Sequence, residues 1–239
     1  MNDIMKLFND YAKTFDLKNK NIMRKFHHSY RVMDFSIEIA KSLDLNEEDI
    51  RVIGIAGLFH DIARFEQWTQ YETYIDSKSF DHGNKGYEIL KDGMIDKLTD
   101  DEEVKDIILI AVKNHNKFEI EDNLSDKQLM VAKIIRDADK LDIMKEQGFI
   151  KENNKLKDVF LSALKNHKMI TNDLVENEMG SLCRLISFIF DFNFKYTYEY
   201  TLKNQIIENK VNLLEIYGDT TLDDLMDNLI NYMKGRLEC

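Results

Sequence analysis

Residues 47–65 read EEDIRVIGIAGLFHDIARF. From Ile50 to Phe59 the stretch is apolar on nearly every side of a helical projection, and a helix of that kind belongs in the middle of a bundle rather than on its surface. The reading predicts one central helix over Glu47–Phe65, with Ile50, Ile53, Ile55, Ala56, Leu58 and Phe59 buried. His60 and Asp61 then sit at its inner end. Two adjacent residues that can both bind a metal, delivered by a buried helix and followed by histidines on separate segments, have the form of a preformed metal site.

The rest of the chain is consistent with an all-α fold. It has 239 residues, 44% of them hydrophobic, enough to bury a sizeable core. We read residues 1–239 as a single helical domain, with a metal-binding core over about 20–145 and a C-terminal helical extension over 146–239. Proline is absent, whereas ordinary usage is about 5%; the commonest helix breaker is therefore missing. Val32, Phe35, Ile39 and Leu43 recur at three-to-four spacing between Ile22 and Leu43, marking one buried helix face. Thr99 with Glu102 and Ser125 with Gln128 match capping boxes, so helices are expected to start there and to carry His115 and Asp139 respectively. The polar segments Lys117–Leu124 and Lys151–Lys157 read as loops.

One segment is ambiguous. Between Phe188 and Tyr200 an aromatic residue occupies every second position, which is a strand pattern. A lone strand between helical flanks would leave its backbone groups unpaired, so two helices meeting near Asp191–Asn193 are expected instead.

The formal net charge is -11. That argues against a general binder of nucleic-acid backbone, which needs a basic surface to displace counterions. A small anionic substrate remains compatible, because bound divalent cations reverse the local potential of an acidic protein. Cys183 and Cys239 are the two cysteines and lack zinc-type pairing. No apolar stretch reaches the length of a signal peptide or membrane span. The expectation is a cytoplasmic protein without membrane contact.

Potential ligands fall on separate predicted segments: His28 on one helix, His60 and Asp61 ending the next, His82 beginning another, and His115 and Asp139 towards the C-terminal ends of theirs. This mixture of imidazole and carboxylate suits two divalent ions, manganese or iron foremost and magnesium, nickel or zinc also, while the lack of cysteine ligands speaks against structural zinc. Asp61, in the middle of the set, is the natural bridge. His28, His60 and Asp139 would hold one ion, and His82 and His115 the other.

The order His, His-Asp, His, His, Asp, with the strings HSYRV, FHDIARFEQ, DHGNKGYEIL, KNHNK and RDADKLD, resembles the HD-domain superfamily of metal-dependent phosphohydrolases. The resemblance covers roughly Arg24 to Asp142. It implies a helical bundle with metals at its centre and hydrolysis of phosphate esters by a metal-bridging hydroxide, with Asp61 as the bridging ligand. Two cations would clamp the phosphoryl group and make the bridging water a nucleophile at neutral pH. In the branch acting on cyclic dinucleotides a lysine occupies the place of Arg64, which makes Arg64 a candidate catalytic phosphate clamp; Lys140, beside Asp139, is a second candidate for substrate binding. That branch also has a second histidine after the one matching His115 and an extended motif containing proline. Here the residue is Asn116 and there is no proline, which argues against a cyclic-dinucleotide enzyme and a third metal.

The leading function is hydrolysis of a phosphomonoester or phosphodiester, with a small phosphorylated substrate such as a nucleotide. Two alternatives stand beside it: a mixed-valence di-iron oxygenase of a phosphonate or polyol, and a non-catalytic nucleotide sensor. Plainer roles compete for several residues. His27 neighbours His28, and only the spacing to Arg31 and Val32 selects between them; His167 reads as a surface residue. Arg64 could pair with Glu66, and Asp137 and Asp142 could orient ligands or merely solvate a helix face. Trp68, Tyr71 and Tyr74 could line a pocket mouth or simply pack, and Asp81 has no assigned role. The pocket walls are expected from Gln67–Ser79 and the C-terminal helices.

Overall fold

The computed structural model describes residues 1–145, 156–218 and 221–238. Among them there is no strand, and the regular elements are all helical. The chain divides into two compact units, 1–139 and 140–239. The first contains α1 (Asn2–Ala12), α2 (Lys20–Ser42), α3 (Glu47–Phe59), α4 (Arg64–Tyr71), α5 (His82–Ile89), α6 (Glu102–Asn114) and most of α7 (Asp126–Lys145). The second contains α8 (Asp158–Lys165), α9 (Glu178–Ser187), α10 (Lys195–Lys203), α11 (Ile206–Gly218) and α12 (Asp223–Glu238).

Helix α3 is the axis of the first unit. Its opening turn carries Glu47, Glu48 and Asp49, and the Asn46 side chain accepts the Asp49 N–H at 2.9 Å; both features satisfy the free N–H groups and positive dipole end of a helix start. Beyond that turn, every residue from Val52 to Phe59 is buried. Helix α2 packs tightly along it. A Cβ on Gly57 would lie 2.7 Å from Ser36 Oγ and 3.1 Å from Met33 Cα, so the absence of a side chain there sets the approach of the two helices. Leu43 departs from the expected buried stripe: it caps α2 and is 36% exposed.

The single helix expected over Glu47–Phe65 is broken. The His60 ring Nδ1 donates to Gly57 O at 2.7 Å, occupying the carbonyl that the following turn of α3 would use. Residues 60–63 then form a tight turn, with Ile62 N on Phe59 O and Arg64 N on Asp61 O, before α4 begins. His115 repeats the device at the end of α6, its Nδ1 donating to Val112 O at 2.7 Å. In each case a histidine that faces the site also terminates the helix that carries it.

Of the two capping boxes, one forms. Ser125 N donates to Gln128 Oε1 at 2.8 Å while Gln128 N donates to Ser125 Oγ at 3.3 Å, and α7 starts there. Helix α6 is instead capped by Asp101, whose carboxylate accepts from Glu103 N and Val104 N. Thr99 supports the cap indirectly by accepting the Asp101 N–H at 3.2 Å. Aspartate next to the helix start outcompetes a threonine two residues earlier because charge strengthens the bond and complements the dipole.

In the second unit the alternating aromatic segment is helical. Helix α9 passes into a 3-10 turn over Phe188–Asp191, and α10 follows after an extended link at Phe192–Phe194. Tyr198 reaches back across the bend, donating to Phe192 O at 3.0 Å. Phe188, Phe192 and Tyr198 are buried, so the aromatic residues pack as expected of two helices that meet at a corner. The polar segment Lys117–Leu124 is a loop between α6 and α7; residues 151–155 of the other expected loop lie outside the described residues.

Candidate metal centre

All six expected ligand residues converge in the first unit. Helix α2 supplies His28, the turn after α3 supplies His60 and Asp61, the first residue of α5 is His82, the C-cap of α6 is His115, and α7 supplies Asp139. Five of these six are buried, and the Asp139 side chain is only 16% exposed. Their donor atoms form three overlapping groups, namely His28 with His60 and Asp61, His60 with His115 and Asp139, and Asp61 with His82 and His115. His27, by contrast, is exposed and His28 buried, which decides between those neighbours.

The geometry has two halves joined at Asp61. On one side His28 Nε2 and His60 Nε2 lie 3.2 Å apart, at 3.4 and 3.5 Å from Asp61 Oδ2 and 3.0 and 3.6 Å from Asp139 Oδ1. On the other side His82 Nε2 and His115 Nε2 lie 3.0 Å apart, at 3.5 and 3.4 Å from Asp61 Oδ1. One carboxylate thus turns a different oxygen to each histidine pair. That is the disposition of a bridging ligand.

Protonation states follow from the outer contacts. The Nδ1–H groups of His60 and His115 are committed to backbone carbonyls, and His82 Nδ1 donates to Asp76 Oδ2 at 2.6 Å. A neutral imidazole has one N–H, so in the neutral form each of these rings turns its Nε2 lone pair inwards. Burial foremost holds His60 below its ordinary pKa. Burial, then the Arg64 charge, pushes His82 down to about 3, against the upward pull of Asp76. Burial alone would raise Asp61, but Lys25, His60 and Arg64 together hold its carboxyl well below the usual range. Asp139 is likewise held well below the usual carboxylate range, with burial outweighed foremost by the hydrogen bond from His28. Unprotonated imidazoles and ionised carboxylates at these separations fit divalent cations of the borderline and hard classes.

Residues 26–144 match the family model described as HD domain. The chain carries an HD domain. No curated protein and no solved structure matches the chain at a significant level. Within this HD domain the ligand-bearing helices are the ones that the family match spans, from α2 to α7.

Several residues around the HD-domain ligands had no assigned role in the sequence. Lys25 places its Nζ 2.6 Å from Asp61 Oδ2 and is 11% exposed. It lies one turn before His28 on α2, a spacing that brings side chains to one helix face and that could have flagged it. Asp76 orients His82, and its other oxygen accepts from Arg64 Nη1 at 3.1 Å and Gln67 Nε2 at 3.0 Å. Gln67 is fully buried and donates also to Ser79 Oγ and Phe80 O, binding the 72–81 segment to α4. Asn116 donates to Asp76 and Asp81 at 3.2 Å each. A Cβ on Gly83 would fall 2.3 Å from Asn116 Oδ1, so only glycine allows this approach.

The plainer alternatives now separate. Arg64 meets Asp61 Oδ1 at 3.4 Å, Asp76, Gln67 and Tyr74 O, whereas Glu66 pairs with Lys85 at 3.3 Å. Lys140 is buried and its Nζ meets Asp191 Oδ2 at 2.8 Å, with the Phe188 ring alongside. Asp137 and Asp142 are buried and so do not merely solvate a helix face. Asp81 caps α5 and pairs with Lys117. Trp68 packs on Tyr74 with ring centroids 5.0 Å apart, Tyr71 packs on Phe80, and His167 is exposed. No helix among the described residues is long and apolar enough to cross a membrane.

Proposed function

We propose that this HD domain is a metal-dependent phosphohydrolase that cleaves a phosphomonoester or phosphodiester, with a nucleotide as the substrate class. The observation that carries the reading is Asp61, whose Oδ2 faces the His28–His60 pair and whose Oδ1 faces the His82–His115 pair. His28, His60 and Asp139 would hold one divalent ion, His82 and His115 the other, and Asp61 both; manganese or iron suits this donor set best. When bound, such ions supply the Lewis acidity that polarises a phosphoryl oxygen and acidifies water.

The chain's own contribution is order, charge and exclusion of solvent. Gly57 O, Val112 O and Asp76 fix the tautomers of three histidines, so their lone pairs need no reorganisation. Lys25 and Arg64 flank Asp61 on opposite oxygens, where cations can neutralise the oxygens of a phosphoryl group. In a protein of net charge -11, a phosphate is recruited by such a local positive region. A pair of cations in this position also favours a phosphate over an uncharged polyol.

The test is metal analysis of protein purified without chelators, followed by phosphate release from p-nitrophenyl phosphate and a nucleotide panel. About two metals per chain and phosphate release that collapses in His60→Ala and Asp61→Ala are expected. Two irons with oxygen consumption and no phosphate release would sink the proposal in favour of oxygenase chemistry.

A further inference from the structure

Arg136 lies on α7, three residues before Asp139, and is 4% exposed. Its guanidinium reaches across to the end of α6. Nη1 donates to Asn114 O at 3.3 Å and to Lys117 O, and Nη2 donates to Phe118 O at 3.3 Å. These carbonyls bracket His115 and Asn116. The turn is closed by Lys117 N on Asn114 O at 3.3 Å, and the buried Asn114 side chain ties its flanks, donating to Ile110 O and accepting Glu121 N, each at 3.0 Å. Carbonyls at a helix C-terminus lack partners within the helix and form the negative end of its dipole, so a cation is favoured there. A planar fork of donors serves several of them at once, which a single ammonium does not.

The clamped segment carries one half of the centre. His115 Nε2 lies 3.0 Å from His82 Nε2 and 3.4 Å from Asp61 Oδ1. Asn116 Nδ2 lies 3.2 Å from His82 Nδ1 and donates to Asp76, the carboxylate that orients that ring. The start of α5 rests on the same turn, since a Cβ on Gly83 would fall 2.7 Å from Lys113 O and 2.3 Å from Asn116 Oδ1. Both histidines of this half therefore take their place from the end of α6. The other half does not, because His28 comes from α2, His60 from the turn after α3 and Asp139 from α7 itself. Ligands work only when held within about 0.5 Å of the productive geometry. Arg136 itself belongs to none of the candidate ligand groups.

We propose that Arg136 is a positioning residue for the His82–His115 half of the centre: its guanidinium fixes residues 114–118 to α7, and with them the separation of the two rings. Helix α7 then serves both halves, supplying Asp139 to one directly and ordering the other through Arg136. This rests on the two-ion reading of the site and goes beyond it, because it assigns the order of one half to a single side chain behind the ligands.

The experiment is manganese titration by calorimetry, with His82→Ala and His28→Ala identifying the phase that belongs to each half. Arg136→Ala is expected to weaken the His82–His115 phase about 10- to 100-fold, the range for residues that orient ligands, and to leave the other within about threefold. Millimolar guanidinium chloride, filling the space left by the side chain, should restore most of the lost affinity, and potassium chloride at the same concentration should not. Guanidinium favours unfolding, so a variant that is merely loosened would lose affinity further. Equal weakening of both phases, no weakening of either, or a loss that guanidinium deepens overturns the assignment. Where Arg136→Ala yields no folded protein, Arg136→Lys carries the test: the same selective weakening is expected, because lysine lacks the fork, and wild-type affinity in both phases refutes the proposal. A wild type that shows both phases, indifferent to Arg136, refutes the positioning role alone; a wild type that binds no manganese refutes the metal reading beneath it.

Discussion

Asp76→Asn isolates the contribution of a residue outside the candidate ligand groups. In the protein its Oδ2 accepts His82 Nδ1–H at 2.6 Å, and its Oδ1 accepts from Arg64 and Gln67 at 3.1 and 3.0 Å. Asparagine offers one acceptor and one donor in the same volume. With its oxygen towards Arg64 and Gln67, its NH2 faces His82 Nδ1, and the ring satisfies that contact by moving its proton to Nε2, the nitrogen that faces Asp61 and His115. With its oxygen towards His82, two buried donors on the other side lose their acceptor. Either way a charge-assisted hydrogen bond worth about 1.5–3 kcal/mol is lost. Metal affinity of the His82–His115 half should fall about 10- to 100-fold, the range for residues that orient ligands, while the His28–His60 half is spared. Manganese titration by calorimetry, with metal analysis after dialysis, resolves the two halves as separate binding phases. Two phases with wild-type affinity in Asp76→Asn would refute the reasoning, as would equal weakening of both.

Three further outcomes follow from the same geometry. Leu58→Ala, at a fully buried position on α3, should destabilise the chelator-treated protein by about 2–5 kcal/mol in urea unfolding; a loss below about 1 kcal/mol would mean that α3 is not the axis of its unit. Ser125→Ala removes one arm of the reciprocal cap on α7 and should cost about 1 kcal/mol, with unchanged stability counting against the cap. Without metal, stability should fall as pH drops from 7 to 5, because the depressed pKa of His82, about 3, keeps that ring neutral in the folded state while the unfolded ring protonates below about 6.5. The stabilisation is full above that unfolded value and is lost as pH falls towards the folded one. His82 alone contributes about 2 kcal/mol of loss by pH 5, and His60, lowered in the same direction by burial, adds to it. Asp61 and Asp139 stay ionised across this window. Equal urea midpoints at pH 7 and pH 5 would contradict the neutral, buried state of these rings.

Much of the site was legible because its ligands are tied to helix ends. The apolar run before His60 fixed a buried helix, and the spacing of His28 from Arg31 and Val32 fixed the face of α2 that turns inwards. Local chemistry misled where two local signals competed. At the start of α6 both Thr99 and Asp101 can cap, and the carboxylate wins. At the end of α3 the periodic pattern continued through Phe65, but a side-chain hydrogen bond to Gly57 O interrupts it. Hydrophobic pattern reports burial and period, and it is silent about a ring nitrogen that takes a backbone acceptor.

The sequence by itself determined the all-helical architecture and picked out the six candidate ligands that converge in the first unit, since both depend on residue type and on spacing along single helices. Tertiary structure alone decided what surrounds them. Lys25, Asp76, Gln67 and Asn116 reach the centre from α2, the 72–81 segment, α4 and the loop after α6. Their meeting depends on how those segments pack, and a polar residue's spacing along its own helix carries no record of the partner it finds on another. The Arg24, Lys25 and Arg64 charges around Tyr74 are the same case. Residue 74 and residue 24 are neighbours only because the chain between them folds back.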